Sequence, residues 1–178
     1  MPKQKLNKQT ITTLQEVLKY FNLTDSDWDI LLVGDGSAGS IQHGAGWASV
    51  FIDKLSGFRK LFYGGDNSNL LGFSEFWPYI QALTWFISEN GPYKTRKRLL
   101  GKNKILKVCI LSDSLYTVQV GNGLIRPRKY VEYWRLFKSF TSYGMDLNFY
   151  FVPRNVIELH ALADTISKRA RKSILAVK

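Results

Sequence analysis

The sequence predicts an α/β fold: a five-stranded mixed sheet, with three antiparallel strands followed by two helix-linked strands, flanked by helices and preceded by an extra N-terminal helix. Three observations predict it. Apolar runs of strand type at 30–33, 47–52 and 58–63 follow one another across turn-forming segments, as an antiparallel meander requires. Two later apolar runs, 105–111 and 147–152, are each preceded by segments with helical spacing of apolar residues. A final amphipathic segment after residue 155 then covers the sheet.

Each element has a local reason. Residues 1–9 are polar and basic and are expected to fray. From Thr10 to Phe21, Ile11, Leu14, Val17, Leu18 and Phe21 recur at helical spacing, and Thr13 with Glu16 matches a capping box. Ile30–Val33 is a strand that Gly34-Asp35-Gly36-Ser37 is expected to break, and Trp47–Ile52 is the second strand. Asp53-Lys54-Leu55-Ser56-Gly57 reads as a hairpin turn into Phe58–Tyr63. After turn-rich Gly64–Gly72, a helix is predicted from Ser74 to Ser88, with Pro78 near its start and Asn90-Gly91-Pro92 ending it. Residues 93–104 read as a basic loop holding Lys94, Arg96, Lys97, Arg98, Lys102 and Lys104 and no acid. Ile105–Leu111 reads as a buried strand. A short helix follows from Ser114 to Val120, stopped by Gly121-Asn122-Gly123, then a helix from Lys129 to Tyr143. Leu147–Val152 is the fifth strand, and the last helix spans Val156–Ala170 before a basic tail.

At 178 residues this is expected to be one folded domain over 28–172, with an N-terminal basic segment and helix at 1–27 and a basic tail at 173–178. Lysine and arginine outnumber the acids 25 to 14, for a formal net charge of +11, which favours a polyanionic partner: nucleic acid or an acidic membrane surface. No apolar run approaches the ~20 residues of a membrane span, and no apolar signal core follows the basic start. Cys109 stands alone, so no intrachain disulfide forms and no disulfide-linked partner is expected; with two histidines, a structural zinc site is not expected either. The chain reads as a soluble protein of the cytoplasm or another intracellular compartment, and as a monomer.

Four acids stand out against this basic background. They are Asp35 in Val-Gly-Asp-Gly-Ser, Glu75 in Phe-Ser-Glu-Phe-Trp, Asp113 in Leu-Ser-Asp-Ser, and Asp164 in Ala-Leu-Ala-Asp. Singly, each has an ordinary role. Asp35 fits a turn, Asp113 a helix N-cap, Glu75 a first helical turn, and Asp164 an ion pair with Lys168 four residues on. Jointly, two at strand ends and two on helices converge on one sheet edge. Carboxylates so close repel one another, and a divalent cation relieves that repulsion.

These motifs and this order resemble ribonuclease H over about residues 28–172. Asp35-Gly36-Ser37 matches the first-strand motif, Glu75 is followed by Ala82-Leu83 at the family spacing, Asp113-Ser114 matches the end of the fourth strand, and Ala163-Asp164 the last helix. Val152-Pro153-Arg154 resembles a subgroup with that stretch before the last helix, and Gly121–Arg128 leaves little or no room for the basic protrusion of other members. The resemblance implies a metal-dependent endonuclease that cuts the RNA strand of RNA–DNA hybrids by a two-metal mechanism, using two Mg²⁺ (or Mn²⁺) ions held by Asp35, Glu75, Asp113 and Asp164. His160 stands four residues before Asp164, on the same helix face, where the family usually has asparagine; it is a further catalytic candidate, with a capping role as the alternative. The interval from Arg154 to Asp164 is longer than the subgroup's. His43, after the first strand, is expected on the surface. Expected substrate contacts are Gly36, Ser37, Ser114, Arg126, Arg128, Lys129 and Arg154, with the 94–104 segment and the tail residues Lys168, Arg169, Arg171 and Lys172 as further phosphate contacts and Trp77 and Trp134 as stacking surfaces. Gly72 and Phe73 lie where the family has an asparagine that reads a 2′-hydroxyl. A DNA nuclease of the same fold, such as a junction resolvase, and a non-catalytic nucleic-acid-binding module are the alternatives.

Overall fold

The computed structural model describes residues 10–38, 44–66, 74–101, 103–154 and 156–175. The expectations for residues 1–9, His43, Gly72, Phe73 and Lys102, and for the end of the tail, lie outside them. Five strands form one sheet in the order β3-β2-β1-β4-β5. They are β1 (Ile30–Ala38), β2 (Ala45–Asp53), β3 (Arg59–Asp66), β4 (Leu106–Ser112) and β5 (Met145–Phe151). β1 pairs antiparallel with β2 and β2 with β3, while β4 runs parallel to both β1 and β5. This is the mixed sheet that the meander and the helix-linked strands predict. Six α-helices surround it among the described residues: α1 (Leu14–Tyr20), α2 (Trp77–Ile87), α3 (Tyr93–Leu100), α4 (Leu115–Gly121), α5 (Val131–Ser139) and α6 (Glu158–Leu175). A short 3-10 turn, Phe140–Tyr143, continues α5. None of these helices is long and apolar enough to cross a membrane.

Strands β1, β2 and β4 are buried on both faces, and strand alternation sorts their side chains into two cores. Ile30, Leu32, Phe51, Val108 and Ile110 pack with Phe76, Tyr79, Leu83 and Phe86 around α2 and with Trp134 and Phe137 of α5. Leu31, Val33, Val50, Ile52, Cys109 and Leu111 pack on the other face with Val17 of α1, Trp28, Val152 and Ile157. Trp134 lies 4.6 Å from Phe76, ring to ring, and is 1% exposed. It is a core residue rather than a stacking surface for a base.

Three expectations are corrected. β1 does not break at Gly34. It continues to Ala38, because β2 pairs with it along its whole length, as far as Ala38 with Ala45. Asp35 therefore sits inside a strand, not at its end. The predicted helix from Ser74 starts at Trp77, so Glu75 lies in the turn before it, with Pro78 in the first helical turn. The basic stretch after Pro92 is a helix, not a loop. Its Arg96 is 3% exposed and ion-pairs with Asp53 and, at 3.5 Å, with Asp29. That buried anchor offsets the repulsion among its lysines and arginines, which are good helix formers. Asp29 precedes β1, six residues from Asp35, so this basic helix is anchored about 20 Å away, at the opposite end of the sheet.

The N-terminal helix has a defined attachment. Thr13 and Glu16 form the predicted capping box. Just ahead of it, the Ile11 N–H donates to the Val156 carbonyl at 2.7 Å, and the Glu158 N–H donates to the Ile11 carbonyl at 2.9 Å. The extra segment thus forms a one-residue parallel bridge that fixes the chain at the start of α6.

Candidate active site

Register brings the first two acids together. The β1–β4 ladder is parallel and ends with Val33 opposite Leu111. Two residues further along each chain are Asp35 and Asp113. By alternation both continue the face that Leu31, Val33, Cys109 and Leu111 occupy. Where the ladder opens, the Tyr79 hydroxyl lies 2.9 Å from the Gly34 carbonyl and 2.8 Å from the Leu111 carbonyl. It ties the middle of β1 to the end of β4 just before the acids.

The third acid arrives from the turn before α2. A methyl group on Gly36 would lie 2.4 Å from the carbonyl carbon of Ser74, so only glycine lets this turn rest on β1. Ser74 is fully buried, and Glu75 follows it. The charges of Asp35 and Asp113 both act on Glu75. Its Oε2 is buried and accepts no hydrogen bond.

His160 comes from the first turn of α6. Its Nε2 is 3.5 Å from Asp113 Oδ1 and 3.8 Å from Asp35 Oδ1. The imidazole is 2% exposed, and Nε2 has no hydrogen-bond partner. One ligand atom from each of Asp35, Asp113 and His160 lies within 4.8 Å of the others. Helix α6 can lie this low because the sheet under it is bare: a methyl on Gly46 would come 2.0 Å from the Ser167 carbonyl.

Asp164 is one turn beyond His160, and its carboxylate turns outward. Lys168 Nζ donates to its Oδ2 at 2.6 Å, and its side chain is 29% exposed. It stands outside the cluster that holds Asp35, Asp113 and His160, although its charge still reaches Asp35.

Protein donors hold the outer oxygens of the two central acids. Ser167 Oγ donates to Asp35 Oδ2 at 3.0 Å, and Arg154 Nε donates to Asp113 Oδ2 at 2.6 Å. The inner oxygens, both Oδ1, face His160. The electrostatics follow from this. Burial, then the charge of Asp113, pushes the Asp35 carboxyl up to about 6, against the pull of His160 and Ser167. Burial, then Asp35 and Asp113, pushes Glu75 up to about 8. Burial also raises Asp113, but His160 and Arg154 outweigh it and hold that carboxyl below its ordinary value.

Of the expected substrate contacts, Gly36 and Ser37 are buried within β1. Ser114 caps α4, accepting from the Thr117 N–H. The Arg128 N–H donates to the Tyr116 hydroxyl at 3.1 Å. Tyr130 lies 6.0 Å from Phe76, ring to ring, and Phe76 adjoins Glu75. The Arg128 backbone is thus tied to Tyr116 of α4, and Arg126, Arg128 and Lys129 are exposed. Sequence reasoning missed Ser167. Its position three residues after Asp164, one helical turn on, was the available signal.

Buried, unpartnered atoms of Asp35, Glu75 and His160, together with Asp113, form a set whose chemistry fits a divalent cation. No family model and no curated protein matches the sequence. Solved structures do. The N-terminal RNase H domain of a Mycobacterium tuberculosis protein, solved fused to maltose-binding protein, has a TM-score of 0.62 and 15% identity over 83% of this chain and 96% of its own. LC11-RNase H1, solved with an RNA/DNA hybrid, has a TM-score of 0.55 and 21% identity over 82% of this chain and 99% of its own. RNase H1 of the archaeon Halobacterium salinarum has a TM-score of 0.54 and 16% identity over 81% and 98%. The chain has the ribonuclease H-like fold.

Proposed function

We propose that this chain of ribonuclease H-like fold is a metal-dependent endonuclease that hydrolyses the RNA strand of RNA–DNA hybrids. The observation that carries the proposal is the gathering of Asp35, Asp113 and His160 within 4.8 Å, with Glu75 near enough to feel the charge of both aspartates and with Asp35 Oδ1 and Glu75 Oε2 buried and unpartnered. A binding module gains nothing from acids that face phosphates, whereas a hydrolase needs them to hold cations. That LC11-RNase H1 was solved with a hybrid supports the choice of substrate. Fold alone does not assign it.

Asp35, Glu75 and Asp113 would hold Mg²⁺ or Mn²⁺, with Asp164 flanking them. When bound, two such ions would supply a hydroxide nucleophile near neutral pH and charge stabilisation for the leaving oxygen. The chain's own residues do the rest. Ser167 and Arg154 fix the rotation of the two central carboxylates, so that the inner oxygens stay turned inward. Burial keeps bulk water from screening their charge. Arg154 presents an exposed guanidinium beside Asp113. Together with Arg126, Arg128 and Lys129 it offers phosphate contacts along the approach to the site.

The test is cleavage of labelled RNA–DNA hybrid, duplex DNA, duplex RNA and four-way junctions, with Mg²⁺, Mn²⁺ or chelator, beside Asp113→Asn. Cation-dependent cleavage of the hybrid's RNA strand alone, abolished in the variant, is expected. Cleavage of junctions alone would make it a DNA nuclease. Binding without cleavage of any substrate would make it a non-catalytic module.

A further inference from the structure

We propose that His160 is a nitrogen ligand of the cation site, and that it biases the site toward transition ions such as Mn²⁺ over Mg²⁺. The inference rests on the cation-dependent reading above and adds the ligand that the reading leaves unassigned.

Three observations carry it. First, the imidazole is buried and its Nε2 has no hydrogen-bond partner. A buried polar atom left bare is costly unless something else meets it. Second, the distances suit a shared ion better than an ion pair. An imidazolium paired with these acids would close to hydrogen-bond distance of one oxygen. Here Nε2 stands 3.5 Å from one inner oxygen and 3.8 Å from the other. Neighbouring ligands around one ion at bond lengths near 2.1 Å are about 3 Å apart, so these three atoms, all within 4.8 Å of one another, would draw inward around a shared ion. Third, the other claims on these atoms are already met. Ser167 takes the outer oxygen of Asp35 and Arg154 that of Asp113, which leaves the inner pair to His160. Asp164, the other acid on this helix, is turned to Lys168 instead.

The choice of ion follows from ligand type. Mg²⁺ prefers oxygen donors and gives up water reluctantly. An imidazole nitrogen favours first-row transition ions over Mg²⁺, least for Mn²⁺ and more for later ions, so a mixed nitrogen and carboxylate set moves affinity along that order. A site with carboxylates alone would show a smaller bias.

The test uses the full chain without nucleic acid. Mn²⁺ binding is followed by pulsed electron paramagnetic resonance, which detects nitrogen-14 bonded to the ion. Mn²⁺ and Mg²⁺ affinities are measured by calorimetry for wild type, His160→Ala, His160→Asp and Asp113→Asn, with circular dichroism as a folding check. A directly bonded nitrogen is expected in the wild type. His160→Ala is expected to lose that signal and about tenfold in Mn²⁺ affinity, with less than about threefold change for Mg²⁺. His160→Asp should bring the two affinities together by raising that for Mg²⁺. Mn²⁺ bound tightly and lost in Asp113→Asn, but with no nitrogen signal in the wild type, would overturn the role of His160 and leave the cation reading intact. No binding of either ion would overturn that reading and this inference with it. The wild-type spectrum decides even if a variant misfolds.

Discussion

Arg154 Nε donates to Asp113 Oδ2 across 2.6 Å, yet 70% of the arginine side chain is exposed. One edge of the guanidinium positions an acid while the rest faces the solvent from which substrate arrives. Arg154→Ala should therefore raise KM for the hybrid several-fold and reduce the salt dependence of binding by about one phosphate contact. Asp113 loses a charge that lowers its pKa, so the acid limb of activity should also move to higher pH. A salt slope equal to that of the wild type would show that Arg154 touches no phosphate.

Ser167 makes a narrower prediction. Its hydroxyl favours the ionised form of Asp35, whose carboxyl is already raised to about 6 by burial and Asp113. Ser167→Ala removes that donor and should raise the carboxyl further. Cation affinity should fall more at pH 6 than at pH 8, where Asp35 is ionised in either protein. Calorimetric titration at both pH values checks this, and an equal loss at both would refute it.

The raised acids also fix how the cation-free protein responds to pH. Asp35 rises from 3.8 to about 6 and Glu75 from 4.5 to about 8 on folding. Between those limits the folded chain holds more protons than the unfolded chain, so stability falls as pH rises through that window. Asp113 is lowered, and it contributes stability that is lost only below its ordinary range. Without divalent cation, Tm should drop by about 5 °C or more from pH 5 to pH 8. Glu75→Gln should flatten the upper part of that slope, and saturating Mn²⁺ should abolish it. A Tm that rises over the window in chelator would contradict the repulsion inferred at the site.

Gly36 tests how Glu75 is delivered. Its missing side chain is the space in which the Ser74 backbone rests. Gly36→Ala should push that turn away, costing about 1–3 kcal/mol as overpacking does and most of the activity. Cleavage near the wild-type level would mean that Glu75 is positioned by something other than this contact.

What could be read in the sequence and what could not divide along a physical line. Strand and helix types follow from hydrophobic period, which is local. Asp35 and Asp113 were legible as neighbours because two parallel strands fix their relative height. The continuation of β1 through Gly34 and Gly36 was hidden, since glycine weakens a strand unless a partner or a close approach needs the space. The helix at Tyr93–Leu100 was hidden because its stability comes from Arg96 meeting Asp53 and Asp29, far apart in sequence. The choice between His160 and Asp164 was the least legible. Both lie on one face of α6, and only the depth at which that helix sits on β1 and β2 separates them.

That depth has a cause that can be tested. Ile11 clasps Val156 and Glu158 by two backbone hydrogen bonds of 2.7 and 2.9 Å, one turn before His160. Ile11→Pro removes the N–H that meets Val156 and leaves α1 and its capping box in place. It should weaken Mn²⁺ binding several-fold, because the start of α6 is then free to shift His160 relative to Asp35 and Asp113. Thr13→Ala is the control. It removes the side-chain cap of α1 and should cost about 1 kcal/mol of stability without changing cation affinity. If the two variants lose stability alike and neither changes the affinity, the N-terminal segment is a covering element only, and the position of α6 is set by its contacts with the sheet.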